Sequence, residues 1–181
     1  MSTNVSTCAN DLREALLRDI ADERVWWHGL LEEVGTERME HPGAMGAWTF
    51  KDLIAHITAY RDRFVARLAA GPVGTPVAIW PPHLDDPATG GLDAVNAWIH
   101  TQHEHRPLAE VMADADASFD RLADAFRQIS DEDLTIPGRF VWAPADRSLG
   151  DVIRGHLFDH VHVAHEPDVR AWMGLAANQR A

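Results

Sequence analysis

Residues 107–129, PLAEVMADADASFDRLADAFRQI, carry the clearest structural pattern in the chain. Apolar side chains recur in this stretch at alternating spacings of three and four residues, which is the repeat of one α-helical face. The members of this stripe are Leu108, Val111, Ala115, Phe119, Leu122, Phe126 and Ile129. Such a regular stripe is typical of the seam between bundled helices, so it predicts a long helix that starts at Pro107.

Three other segments carry the same helical periodicity. We expect the first helix from about Asp11 to Gly35, the second from a cap at Thr49, and the fourth from a cap at Ser148. Asp52 and Asp151 stand three residues after these two caps, where the acidic partner of a capping box lies. Together with residues 107–129, these segments make four long helices.

Proline and glycine mark the segments between the helices. Residues 71–91 are rich in both and form a long crossover, after which a short helix is expected over residues 92–102. Residues 36–47 and 130–147 are predicted to be loops for the same reason. The expected fold is all-α: a four-helix bundle with a long crossover between helices 2 and 3, in a single domain over residues 1–181.

The last helix holds four of the eleven histidines within residues 155–165. The inward stripe predicted from α-helical periodicity consists of Ile153, Leu157, His160 and Ala164, with His156 beside it. Pro167 cannot donate a hydrogen bond to the carbonyl of Val163, so we expect the helix to kink or restart near Glu166.

The strongest candidate site combines His56 with His156 and His160. The last two are four residues apart, so on an α-helix both project from one face, while His56 borders the inward face of the second helix. A catalytic zinc or nickel site needs about three protein ligands and an open position, and bundles hold such sites on facing helices. We therefore predict a divalent metal here, zinc or nickel. Without a metal, the same histidines would be hydrogen-bonded core residues.

His162 and His165 complicate the choice of ligands. His160 and His165 are five residues apart, which is a poor spacing for one face of an α-helix. We expect His162 and His165 on the outer face or hydrogen-bonded behind the ligands, with the alternative that one of them replaces His156 as a ligand. A further group of histidines is expected in a solvated loop, with a second site as the alternative: His100, His103 and His105.

Aromatic residues supply candidates for a substrate pocket. The chain has seven tryptophans against one tyrosine, and Trp48, Trp98 and Trp142 are candidates for the wall of a cavity. Such rings could equally fill the core. Tyr60, one helical turn after His56, is the candidate catalytic residue, as a proton donor or a hydrogen-bond anchor. Its alternative is a packed ring whose hydroxyl reaches water.

Composition restricts the partners. A net charge of -12 argues against nucleic acid and against an anionic membrane surface, and leaves a small molecule as the expected substrate. The single cysteine, Cys8, excludes an internal disulfide, and no secretion signal or membrane-length apolar run is visible. We therefore expect a cytoplasmic protein. A homodimer through exposed bundle faces is a further expectation.

Residues 48–56, WTFKDLIAH, resemble the start of the second helix in DinB/YfiT-like proteins. The late helix with histidines spaced by four resembles the other half of that family's signature, and the likeness extends over essentially the whole chain. Three further segments resemble the ClbS/DfsB branch of the family more loosely: residues 96–99, 107–118 and 168–172.

This resemblance implies a four-helix bundle and a metal triad on His56, His156 and His160. The family includes thiol-dependent transferases and isomerases and metal hydrolases, and the ClbS-like branch includes a self-protection protein that hydrolytically opens a cyclopropane in a DNA-damaging metabolite. We therefore expect a metal-dependent enzyme that acts on a small electrophilic molecule by hydrolysis or thiol addition, with a thiol cofactor as one option. Its role would be detoxification, self-resistance or specialised metabolism. The alternative is a non-catalytic protein that binds and sequesters a small molecule.

Overall fold

The computed structural model describes residues 2–85, 88 and 90–178. Its elements are α1 (Ser2–Val34), β1 (Pro42–Met45), β2 (Trp48–Thr49), α2 (Phe50–Ala69), α3 (Leu92–His103), α4 (Leu108–Gln128), α5 (Asp131–Thr135), α6 (Leu149–Ile153) and α7 (Glu166–Asn178). Two π-helical segments, Arg154–Phe158 and Val161–His165, lie between α6 and α7 and make one continuous last helix. The prediction of an all-α four-helix bundle is confirmed. Within the described residues, no helix has the length and apolar character needed to cross a membrane.

The predicted seam along α4 forms the centre of the core. Its middle residues are all buried: Val111, Ala115, Phe119, Leu122 and Phe126. They face α2 and α1, which both pack against α4. Full burial of a side chain such as Phe119 or Leu122 contributes about 1.5–3 kcal/mol each. The repeat of three and four residues thus identifies the face that assembles the bundle.

Two predicted caps fix where the site-bearing helices begin. At α2, the Asp52 N–H donates to Thr49 Oγ1 over 3.1 Å, and the Thr49 N–H donates to Asp52 Oδ2 over 2.9 Å, which completes a capping box. At α6, the Asp151 N–H donates to Ser148 Oγ over 3.3 Å. Both cap predictions are confirmed. Because an α-helix advances by a constant rotation per residue, the cap at Thr49 also sets the direction in which His56 points.

A small antiparallel hairpin corrects one loop prediction. Part of the predicted loop at residues 36–47 is strand β1, which pairs with β2 across a turn that contains Gly46 at φ +62°. The indole N–H of Trp172 donates to the carbonyl of Pro42 over 3.2 Å. The hairpin therefore joins the start of α2 to the last helix.

The last helix departs from α-helical winding where the histidines lie. The Glu166 N–H bonds to the Val161 carbonyl, five residues back, instead of four. The prediction that Ala164 faces inward is wrong, because Ala164 is exposed. His165 is buried, which excludes the outer-face option for it and leaves the other two positions considered. The physical reason is that a π turn holds one more residue than an α turn, which rotates every later side chain. Winding returns to α at Glu166, next to Pro167, which agrees with the predicted irregularity there.

Candidate metal centre

Three histidine side chains meet between α2 and the last helix. His56, in the second turn of α2, is only 3% exposed. The centroid of its ring lies 5.9 Å from that of His160 and 5.1 Å from that of His165, and the latter two lie 4.7 Å apart. One ring nitrogen from each histidine lies within 4.8 Å of the other two. The structure therefore brings two predicted ligands together with His165, one of the residues considered as a replacement for His156.

The wide turn of the last helix explains the position of His165. On an α-helix, side chains five residues apart differ in direction by about 140°. In the π segment Val161–His165 the turn is wider, and His165 lies over His160, with their Nε2 atoms 3.1 Å apart. π turns occur frequently at functional sites, because they re-aim side chains in this way.

The ring nitrogens of this cluster fit a divalent cation. Neither nitrogen of His56, nor Nδ1 of His165, has a hydrogen-bond partner among the residues that the structure describes. A buried polar group without a partner costs about 1–3 kcal/mol, and coordination of a cation would offset part of that cost. Two imidazole nitrogens bound to one tetrahedral zinc lie about 3.3 Å apart, since each Zn–N bond is about 2.0–2.1 Å. The 3.1 Å between the Nε2 atoms of His160 and His165 is close to this separation.

Burial also keeps the imidazoles of His56 and His165 neutral. Burial of His56, reinforced by the neighbouring His165 and His160, lowers its pKa to about 3. Burial, together with His160, lowers the pKa of His165 to about 4. Both rings are therefore uncharged at pH 7, and the neutral imidazole is the form that binds metal ions.

His162 is engaged elsewhere, by two carboxylates. Its Nε2 lies 2.9 Å from Glu23 Oε2 on α1, and its Nδ1 lies 3.0 Å from Glu166 Oε2. Burial alone would lower the pKa of His162, but the carboxylates of Glu166 and Glu23 outweigh it and raise the pKa. The ring also packs on Trp26 at 4.0 Å between centroids. His162 thus ties the last helix to α1, whereas the described side chain of His165 joins those of His56 and His160.

His156 cannot be placed in the same way. Its backbone belongs to the π segment Arg154–Phe158, and its side chain lies outside the described residues. The Asp159 N–H bonds to the Arg154 carbonyl, so the chain around His156 does not follow the α-helical winding that its pairing with His160 assumed. Its role as a ligand stays a prediction.

Tyr60 and Trp48 border the histidine cluster. The Tyr60 ring lies 4.8 Å from that of His56, and its hydroxyl donates to Asn96 Oδ1 over 3.1 Å. Trp48 lies 6.2 Å from His56 and stacks on His100 at 5.1 Å. His100 and His103 belong to the last turn of α3, so their assignment to a solvated loop is wrong. Tyr60 is a hydrogen-bonded wall of the cluster, and a catalytic role for it stays a prediction.

The other two predicted pocket residues lie in different surroundings. Trp142 packs edge-on against Phe64 at 5.2 Å and lines a cavity of about 220 Å³ that also contacts Tyr60. Trp98 packs instead, partly buried, against an apolar cluster that includes Trp80 and Ile99. Of the two, Trp142 is the one that lines this cavity.

Two arginines of this cavity were missed in the sequence. Arg63 and Arg67 line it together with Tyr60 and Trp142. The signal was present, because His56, Tyr60, Arg63 and Arg67 follow spacings of four, three and four residues along α2. This stripe lies next to the apolar stripe of α2, and the apolar residues dominate the periodicity of the segment.

Comparison with known proteins agrees with this architecture. The profile of the DinB superfamily matches residues 20–164, a range that contains His56, His156 and His160 and ends one residue before His165. No curated protein sequence and no solved structure matches the chain. The profile covers most of the chain, including α2, α4 and the first part of the last helix. The chain therefore belongs to the DinB superfamily.

Proposed function

We propose that His56, His160 and His165 bind one divalent metal ion, zinc or nickel, and that the protein is a metal-dependent enzyme. One observation carries this proposal: three imidazoles converge in a buried place where neither ring nitrogen of His56 has a hydrogen-bond partner among the described residues. Membership of the DinB superfamily supports it, because proteins of this superfamily often bind metals.

The residues around the cluster suit a reaction on a small molecule. A bound divalent ion supplies Lewis acidity, which lowers the pKa of a water or thiol and polarises an electrophile. Tyr60, held at Asn96, excludes water from one side of His56. Trp48, stacked on His100, covers another side. The cavity beside Tyr60 has space for an organic substrate.

Within this framework, we propose hydrolysis or thiol addition as the reaction, with a small electrophile as the substrate. The likeness to the ClbS/DfsB branch supports a role in detoxification or self-resistance. A thiol cofactor would make the protein a transferase, whereas water as the nucleophile would make it a hydrolase.

A sequestering protein is the second candidate. It is supported by the aromatic wall of the cavity, where Tyr60 and Trp142 could hold a ligand without reacting with it. A sequestering protein would keep its ligand unchanged, and chelation of the metal would not alter the ligand's chemical identity. An enzyme would release a product, and only in the metal-loaded state.

Two model electrophiles test the proposal. We expect zinc- or nickel-loaded protein to accelerate either the hydrolysis of styrene oxide or the addition of a thiol to 1-chloro-2,4-dinitrobenzene, with products followed by mass spectrometry. His56→Ala should abolish the acceleration, whereas His105→Gln, at a side chain that is 93% exposed, should retain it. Acceleration that is equal in wild type and His56→Ala would contradict catalysis at this site.

A further inference from the structure

We propose that Arg63 and Arg67 bind the carboxylate of a small, partly apolar organic molecule. The two residues lie one turn apart on α2 and line both the cavity of about 220 Å³ and a second cavity of about 320 Å³. Trp142 borders both cavities as well. This inference rests on the proposed function in one respect: it names the substrate class of that site as a carboxylic acid.

Aromatic rings hold both guanidinium groups in place. The Arg63 guanidinium lies 4.4 Å from the centroid of the Trp80 ring, and that of Arg67 lies 5.4 Å from the centroid of Trp142. A cation–π contact of this kind restricts the motion of the guanidinium and reduces the entropy lost when a ligand binds. Each guanidinium carries five N–H donors, so a contact with the protein leaves donors for a ligand. Its planar fork matches the two oxygens of a carboxylate.

The remaining walls of the two cavities are mostly apolar. Phe64 and Leu157 line the first cavity, and Ile79 lines the second. Exposed Leu92 borders the first cavity and exposed Val141 borders the second. Exposed apolar side chains at the edge of a cavity favour an apolar ligand. A molecule with one carboxylate and an apolar body fits this combination of walls.

The overall charge of the chain makes the two arginines distinctive. With a net charge of -12, the protein as a whole repels anions. Two guanidinium groups on one helical face line both of these cavities and bring N–H donors to them. Selectivity for a carboxylate would therefore come from this pair, since the general field of the protein opposes it.

The arginine pair is also placed to orient a substrate toward the histidines. His56, Tyr60, Arg63 and Arg67 follow one face of α2, and Tyr60 contacts both the first cavity and the His56 ring. Along the helix axis, about 10 Å separates the Cα atoms of His56 and Arg63, from the rise per residue. A carboxylate held at Arg63 would thus leave the body of the molecule directed along the face that carries His56.

Calorimetric titration with a matched pair of ligands tests this inference. The probes are 1-naphthylacetate and its neutral amide, 1-naphthylacetamide, at pH 7 and low salt. We expect the wild-type protein to bind the acid at least about tenfold more tightly than the amide, because a charge-assisted hydrogen bond is worth that much or more. The double variant Arg63→Gln/Arg67→Gln should lose this preference, and Arg63→Lys/Arg67→Lys should keep part of it.

Controls separate this inference from the metal proposal. Arg127→Gln, which removes an exposed arginine paired with Asp124, should keep the full preference for the acid. The preference should also persist in chelator-treated wild type and in His56→Ala, so that a failure of the metal proposal leaves this result intact. Equal binding of acid and amide, no binding of either, or a preference that disappears with the chelator would overturn the inference. Circular dichroism confirms that each variant is folded.

Discussion

Lowering the pH from 7 to 5 should destabilise the metal-free protein through His56. In the unfolded chain the pKa of histidine is about 6.5, so the ring becomes almost fully protonated over this interval. In the folded protein burial lowers the pKa of His56 to about 3, and the ring stays neutral. Proton linkage converts this difference into a loss of about 2 kcal/mol in the free energy of unfolding.

The sign of this pH dependence is set by whether the folded or the unfolded state binds more protons. Between the folded pKa of about 3 and the unfolded value, the unfolded state binds the extra proton, so stability rises with pH across this window. The contribution is fully present above about pH 6.5 and is lost as the pH falls toward the folded pKa. His165, whose pKa burial lowers to about 4, acts in the same direction.

Urea unfolding followed by tryptophan fluorescence measures this effect. The free energy of unfolding of chelator-treated protein would be determined at pH 7, 6 and 5, for wild type, His56→Phe and His105→Gln. His56→Phe keeps a ring in the core but cannot titrate, so its loss between pH 7 and 5 should be smaller than that of wild type by about 2 kcal/mol. His105→Gln removes an exposed imidazole and should match wild type. A His56→Phe variant with the wild-type pH dependence would refute the reasoning.

Two further predictions concern the helices that carry the site. Pro167→Ala restores an N–H that can bond to the Val163 carbonyl, so it should favour α winding and turn His165 away from His160. We expect zinc binding, measured by calorimetry, to weaken at least about tenfold. Unchanged affinity would contradict the idea that Pro167 maintains the wide turn. Thr49→Ala removes the cap of α2 and should lower the free energy of unfolding by about 1 kcal/mol, whereas Thr101→Ala, on the exposed surface of α3, should cost less.

The bundle could be predicted from the sequence because its signals are local. The α4 seam from Val111 to Phe126 needs only a regular repeat, and the caps at Thr49 and Ser148 need only a side chain three residues before its backbone partner. Such patterns act within one helix and do not depend on the rest of the fold.

The site was harder to predict from the sequence because it depends on the winding of the last helix and on contacts between distant segments. With 3.6 residues per turn, His165 would point away from His160, and only the π-helical turn of the structure places the two side by side. The helical spacing relates Arg63 to the face that carries His56, but the cavity beside Arg63 depends on the crossover, which brings Trp80 against it. Neither the extra residue in the turn nor the path of the crossover leaves a local pattern in the sequence.

Metal content tests the central claim most directly. Protein purified without a histidine tag would be loaded with zinc or nickel, dialysed and analysed by mass spectrometry for metal per chain, in wild type and in alanine variants of His56, His160, His165 and His156. We predict one metal ion per wild-type chain, its loss with substitution of His56, His160 or His165, and its retention in His156→Ala. A wild-type protein that holds no metal, or one that keeps its metal without His165 and loses it without His156, would contradict this account.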